Sequence, residues 1–424
     1  MSDSQFTSLS PPKPAFKFLL LTSLYTSQFI PSAFFFQALP IILRQRGASL
    51  EMIGLIGFLT LPWMLKFLWA PLIDRYGWWR WGHYKSWIIV LQSLLVLTLI
   101  VCGTLSELET IQGSRLLFQG VFLVVLLAAT QDIATDALAV NLLKPEERGW
   151  GNGIQSAGRA IGGILGGGIM LLILNRVGWQ TSVWMLAGFT LLALLPLLPY
   201  REVNVHPVNS SDDRPRLSYL KTLTAFLRRP HALPWLGFII FYVTGSSMAA
   251  TMFRPLLVDL GLSMADIGWM TGIVGSIAAI IGSLLAGVLI RPLGRRRSLA
   301  IFGIIQAIAV LALALPALDF HNPFLLYAVS TGEVFARSLA NTALFTVMMD
   351  KSHPQTAGSD YTLQSSVFIV GHHVGVPALS GFLASNLGYF GVFVMGFVIC
   401  CISVGLVAKV VTRPQTQLGW SSEA

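Results

Sequence analysis

Long apolar runs constrain this chain more than any other feature. Twelve stretches long enough to cross a bilayer follow one another, with cores at 18–42, 50–73, 85–105, 115–142, 151–174, 180–199, 234–258, 266–290, 298–317, 323–349, 361–385 and 388–411. Backbone N–H and C=O groups in hydrocarbon must be satisfied within the segment, so runs of this length predict helices. Only 11% of the 424 residues are charged and 54% are hydrophobic. A soluble domain carries about 25% charged residues, so a soluble enzyme with a single anchor is excluded. The expected class is an all-α polytopic membrane protein. The N-terminal stretch MSDSQFTSLSPPKPAFKF is polar and Pro-rich. The run after it is too long for a signal-peptide core and is read as an uncleaved helix.

A net charge of +9 invites a nucleic-acid reading. The distribution of the charge argues otherwise. Of 28 Lys and Arg, twenty fall on segments of one side, four on the other, and Lys66, Arg159, Arg254 and Arg337 lie within apolar runs. This asymmetry places both termini in the cytoplasm. No nucleic-acid-reading motif is present. Cys102, Cys400 and Cys401 all lie in apolar runs, which suits neither a disulfide framework nor a zinc site.

The longest polar segment, 200–233, divides the chain into an N-terminal six-helix part, 1–199, and a C-terminal one, 234–424. Its second half, SYLKTLTAFLRRP, has a basic amphipathic pattern expected to lie along the cytoplasmic surface, with a plain linker as the alternative. The two parts repeat. SLEMIGLIGF (49–58) is similar to SMADIGWMTG (263–272). APLIDRYGWWR (70–80) matches GVLIRPLGRRR (287–297) at an offset of 217, in a small-x-x-x-charge-x-x-Gly-x-x-Arg pattern. RGWGNGIQS (148–156) aligns with AGSDYTLQS (357–365), pairing Gln155 with Gln364.

The repeated loop resembles the signature of the major facilitator superfamily. That resemblance implies two pseudo-symmetric six-helix bundles and alternating access. Asp74 stands at the family's acid, with Arg75, Gly77 and Gly294 completing the expected gating loops. Departures are Ala70 for the first glycine, Trp78 and Trp79 for basic residues, and Arg291 for the acid in the second copy. LPWMLKFLWAPLIDR (61–75) and AATQDIATDALAV (128–140) resemble the second- and fourth-helix signatures of muropeptide permeases of the AmpG type and of acetyl-CoA transporters. The size and twelve spans resemble the related RhtX/FptX siderophore importers. Import of a metal–siderophore complex across the bacterial inner membrane is therefore the first expectation, with a muropeptide as the alternative solute. Metal is expected only as part of such a substrate. No resident cofactor is expected, a proton is the expected coupling ion, and the protein is expected to act as a monomer.

The charges within the spans carry the candidate chemistry. With Asp132 set at 0° on a helix, Gln131 lies at about −100°, Thr135 at about −60° and Asp136 at about +40°. These four form one polar arc. Two carboxylates one turn apart repel unless one is protonated or both meet cations. Lys66 and Arg159 are the available cations. Two readings stand: a proton- or substrate-coupled network, or a structural lock. Gly158, Gly162 and Gly166 recur every fourth residue beside Arg159, a spacing that lets helices approach closely. Glu333, Arg337 and Asn341 form a second stripe, in which Asn341 and Phe345 stand where the first half has Asp132 and Asp136.

The resemblance implies that the first helix of each half lines a central cavity, which makes Tyr25, Gln28 and Tyr242 lining candidates. Arg254 could draw in an anion or snorkel, and His372 and His373 could contact substrate, sense pH or pack. Their rings point about 100° apart, which disfavours a shared metal. No phosphate-binding loop, zinc-protease motif or serine nucleophile motif occurs. A membrane-embedded enzyme or signalling protein is the alternative of a different class; the internal repeat argues against it.

Overall fold

The structure, a computed structural model, describes residues 14–45, 55–78, 81–105, 111–202, 219–318, 320, 322–373 and 376–411. Twelve long helical segments run through them. In the N-terminal part they are α1 (Pro14–Gln45), α2 (residues 55–75), α3 (His83–Thr104), α4 (Ile111–Leu142), α5 (residues 148–177) and α6 (residues 179–192). The C-terminal part has α7 (Ala232–Asp259), α8 (residues 264–293), α9 (Arg295–Ala312), α10 (Pro323–Asp350), α11 (described over residues 357–373 and 376–387) and α12 (residues 389–410). A short helix, Tyr219–Ala225, precedes α7. It covers part of the stretch expected to be amphipathic; residues 203–218 lie outside the described ones.

Two of the boundaries are set by glycine. The apolar stretch Arg148–Leu197 is 50 residues long, about 75 Å as one helix and far more than one bilayer crossing. It breaks at Gly178, where φ is +78°. Gly388, with φ +67°, breaks the continuous stretch Val376–Val410 in the same way. L-residues with a side chain avoid this region, so glycine at these places separates α5 from α6 and α11 from α12.

The second helix is not a regular α-helix, as a plain twenty-residue span would be. It alternates 3-10 turns (Leu55–Thr60, Lys66–Leu68) with α-helical turns (Leu61–Leu65, Ala70–Arg75). Pro71 supplies no N–H to the turn before it, which interrupts the ladder just after Lys66. Wide π-type turns interrupt α5 at Ile164–Ile169 and α8 at Gly268–Val274.

Helix pairing repeats in the two parts: α2 with α4, α3 with α4 and α3 with α6 correspond to α8 with α10, α9 with α10 and α9 with α12. Two compact units result. The first comprises residues 1–144, 161–219 and 352–359, and the second comprises 145–160, 220–351 and 360–424. The core of the first unit is apolar side chains of α1, α3, α4 and α6, among them Phe34, Leu99, Val124 and Val183. That of the second includes Met248, Phe253, Val310 and Phe393.

A buried charge network as the candidate functional site

Side chains from three other helices meet the polar arc of α4. Lys66 of α2 donates its Nζ to Asp132 Oδ2, an ion pair with Lys66 1% and Asp132 3% exposed. Lys66 also lies 5.4 Å from the centroid of the Trp63 ring. Gln131 donates to Gln92 Oε1 of α3 at 2.7 Å, and Gln92 in turn donates to the Thr190 carbonyl of α6. Thr135 accepts from Gln28 Nε2 of α1 at 2.6 Å, and Asp136 accepts from the Tyr25 hydroxyl at 2.9 Å. Each side chain of the arc turns to the neighbour it faces, because an unpaired polar group at this depth costs several kcal/mol.

The two acids take different contacts. Asp132 meets Lys66. Asp136 meets a phenol, and Arg159 packs in the second unit, with its guanidinium 5.7 Å from the Phe345 ring centroid. Asp132 Oδ1 is buried and takes no hydrogen bond among the described residues. Lys66 lies eight residues before Asp74, about 12 Å along the chain at α-helical rise.

Tyr25 and Gln28, expected to line a cavity, are buried and each places one polar atom in this network, the Tyr25 hydroxyl and Gln28 Nε2. Tyr242, the third lining candidate, is buried and donates its hydroxyl to the Leu299 carbonyl of α9 at 2.9 Å. Arg254 is exposed. His372 Nδ1 meets the Ser247 hydroxyl of α7. The side chain of His373 lies outside the described residues. Glu333 and Arg337 pair along α10 at 2.8 Å, with Asn341 half-buried one turn on. The glycines of α5 pack as their spacing predicts. A Cβ at Gly162 would come within 3.0 Å of the Thr26 carbonyl, and one at Gly166 would overlap the Ile30 carbonyl.

The loop after α2 is organised by Asp74. Its carboxylate accepts from Tyr84 Oη (2.9 Å), Gly358 N (2.9 Å), Ser359 N (2.7 Å) and Ser359 Oγ (2.6 Å). The acid thus caps the first turn of α11, whose N-terminus favours negative charge. Burial pushes the Asp74 carboxyl up to about 6, against the pull of these four donors. Gly77 lies against the His83 ring, where a side chain would collide, and His83 Nε2 sits 2.8 Å from the Ile73 carbonyl. Arg75 stacks 5.6 Å from the Tyr76 ring centroid. Gly294 takes φ +78° at the corresponding turn.

Two polar clusters were not singled out from the sequence. Asp350 receives Arg148 at 2.9 Å and Arg295 at 2.6 Å. Glu202 accepts from Tyr84 N at 3.1 Å and Lys85 N at 2.8 Å, capping α3. Their signal was the crowding of loop arginines around few acids, but partners up to 202 residues apart give no local pattern.

The family model described as Major Facilitator Superfamily matches residues 20–375 and, a second time, 245–424. The anhydromuropeptide permease of Escherichia coli strain K12 is 25% identical over 370 residues, covering 86% of this chain and 73% of that protein. A protein of Rickettsia conorii named putative transporter AmpG 4 is 25% identical over 388 residues, covering 87% of this chain and 90% of that one. Among solved structures, the Escherichia coli fucose:proton symporter superposes with a TM-score of 0.70 at 16% identity, covering 92% of this chain and 98% of that one.

Proposed function

The chain belongs to the Major Facilitator Superfamily, and from that premise we propose that it is a proton-coupled permease that brings muropeptide-type solutes, sugars bearing a short peptide, across the bacterial inner membrane. The observation that carries the solute is similarity to the anhydromuropeptide permease over 86% of this chain, which takes in both halves rather than one motif. The same comparison favours the muropeptide over the ferric siderophore, which had been the first expectation from chain size and span number. Fold alone does not choose between them, because unrelated solutes share it.

The coupling site is the Lys66–Asp132 pair. A proton arriving on Asp132 removes its negative charge and with it most of the attraction to Lys66, which shifts the balance between two arrangements of the first unit. Asp74 is the gate element: Gly358 and Ser359 must leave its carboxylate for the start of α11 to move away from the loop after α2. Both termini are cytoplasmic in this reading, and the protein works as a monomer.

The test of the solute is thermal shift of the purified protein against a panel of anhydromuropeptides and ferric chelates. A saturable rise in melting temperature with anhydromuropeptides alone is expected. A rise with ferric chelates alone would return the siderophore reading.

A further inference from the structure

Within the second unit, four helices contribute to one continuous row of rings ended by polar groups. Arg159 of α5 lies over Phe345 of α10 at 5.7 Å. Phe345 packs on Phe368 of α11 at 4.7 Å, and Phe368 stacks with the His372 ring at 5.9 Å and an interplanar angle of 11°. His372 ends the row on Ser247 of α7. The two phenylalanines are buried, whereas Arg159 and His372 are half-exposed.

Depth decides what that exposure faces. Arg159 is eleven residues into α5 and His372 fifteen into α11, about 17 and 22 Å from the starts of those helices. A guanidinium at such depth turned toward lipid is costly, so accessible Arg159 belongs to a water-filled face.

The geometry points to this row as the solute-selecting wall, with Arg159 binding a carboxylate of the peptide and the Phe368–His372 ring pair carrying the apolar face of the sugar. This rests on the permease reading above. A guanidinium presents a planar fork matched to a carboxylate, and it is held in place by its ring partner. Broad aromatic surface with a few fixed polar groups is the usual make-up of a small-solute site. Nothing on this row is shared with the Lys66–Asp132 pair, so selection of solute and coupling to protons are carried by different residues.

The experiment measures KM for uptake into proteoliposomes of an anhydromuropeptide with free peptide carboxylates and of the same compound with those carboxylates amidated. The wild type is expected to favour the free acid. Arg159→Gln is expected to raise KM for the free acid by roughly 10–100-fold, the loss of one charge-assisted contact, and to leave the amidated form little changed. Arg159→Lys should keep a part of the preference, and Phe368→Leu should raise KM for both compounds alike. An unchanged KM ratio in Arg159→Gln overturns the assignment. Should that variant fail to reach the membrane, the ratio in Arg159→Lys decides: if it equals the wild-type ratio, the assignment falls. Uptake of neither compound by the wild type would overturn the permease reading itself, and the wall with it.

Discussion

Two residues carry most of the argument, and both are charges kept where charge is costly. Removing one partner of the Lys66–Asp132 pair leaves the other unpaired at about 1–3% exposure. Lys66→Met or Asp132→Leu alone is expected to cost about 3–5 kcal/mol, while the double substitution recovers most of it. Melting temperatures in detergent check this, and equal losses in single and double variants would contradict it. Asp74 makes a pH prediction. Its carboxyl titrates at about 6 in the folded protein against 3.8 in an unfolded chain. Between those values the native state binds more protons than the unfolded one. The group's contribution is therefore fully present below about pH 3.8 and lost as pH rises through about 6. Asp74→Asn should flatten the part of the melting-temperature profile between pH 4 and 6.5 that this acid supplies, read as the difference between the two proteins. That Asp132 would meet a cation was legible, with Lys66 and Arg159 as the candidates; that the cation is Lys66 was not. Nor was the contact of Asp136 with Tyr25 legible: Tyr25 is 111 residues away, and nothing in a phenol's sequence context says that its hydroxyl turns inward.

Among the elements, α5 is the most specific. Its glycines let the backbone of α1 approach so closely that Gly166 touches the Ile30 carbonyl region. Gly166→Val is expected to destabilise by about 1–3 kcal/mol through overpacking, whereas Gly168→Ala, where nothing lies within 4 Å, should be neutral. Thermal unfolding of the two variants side by side tests it, and equal stability would mean that α1 and α5 are not in register as described. The small-residue spacing made this contact readable from sequence. The break-up of α2 into alternating 3-10 and α-helical turns was not, because a hydropathy run records burial in lipid and is blind to backbone pitch. Pro71 was the available sign, as prolines in spans mark places where the hydrogen-bond ladder is interrupted.

At the scale of the whole molecule, the repeat decides the fold and the departures from the repeat hold the function. Twelve spans and the duplicated loop were visible because both recur at fixed offsets. The association of residues 145–160 with the second unit and 352–359 with the first was not, since it depends on which backbone the first turns of α5 and α11 meet. Asp132 and Asp136 have no acidic counterpart in the second half, where Asn341 and Phe345 stand, so proton coupling in this account belongs to the first unit and solute selection to the second. The central claim is coupled uptake through Asp132. It is tested most directly by the accumulation of a labelled anhydromuropeptide in proteoliposomes with an imposed pH gradient, acid outside. The account predicts accumulation that collapses when the gradient is dissipated and is absent in Asp132→Asn; accumulation that is the same with and without the gradient, or untouched by Asp132→Asn, would contradict it.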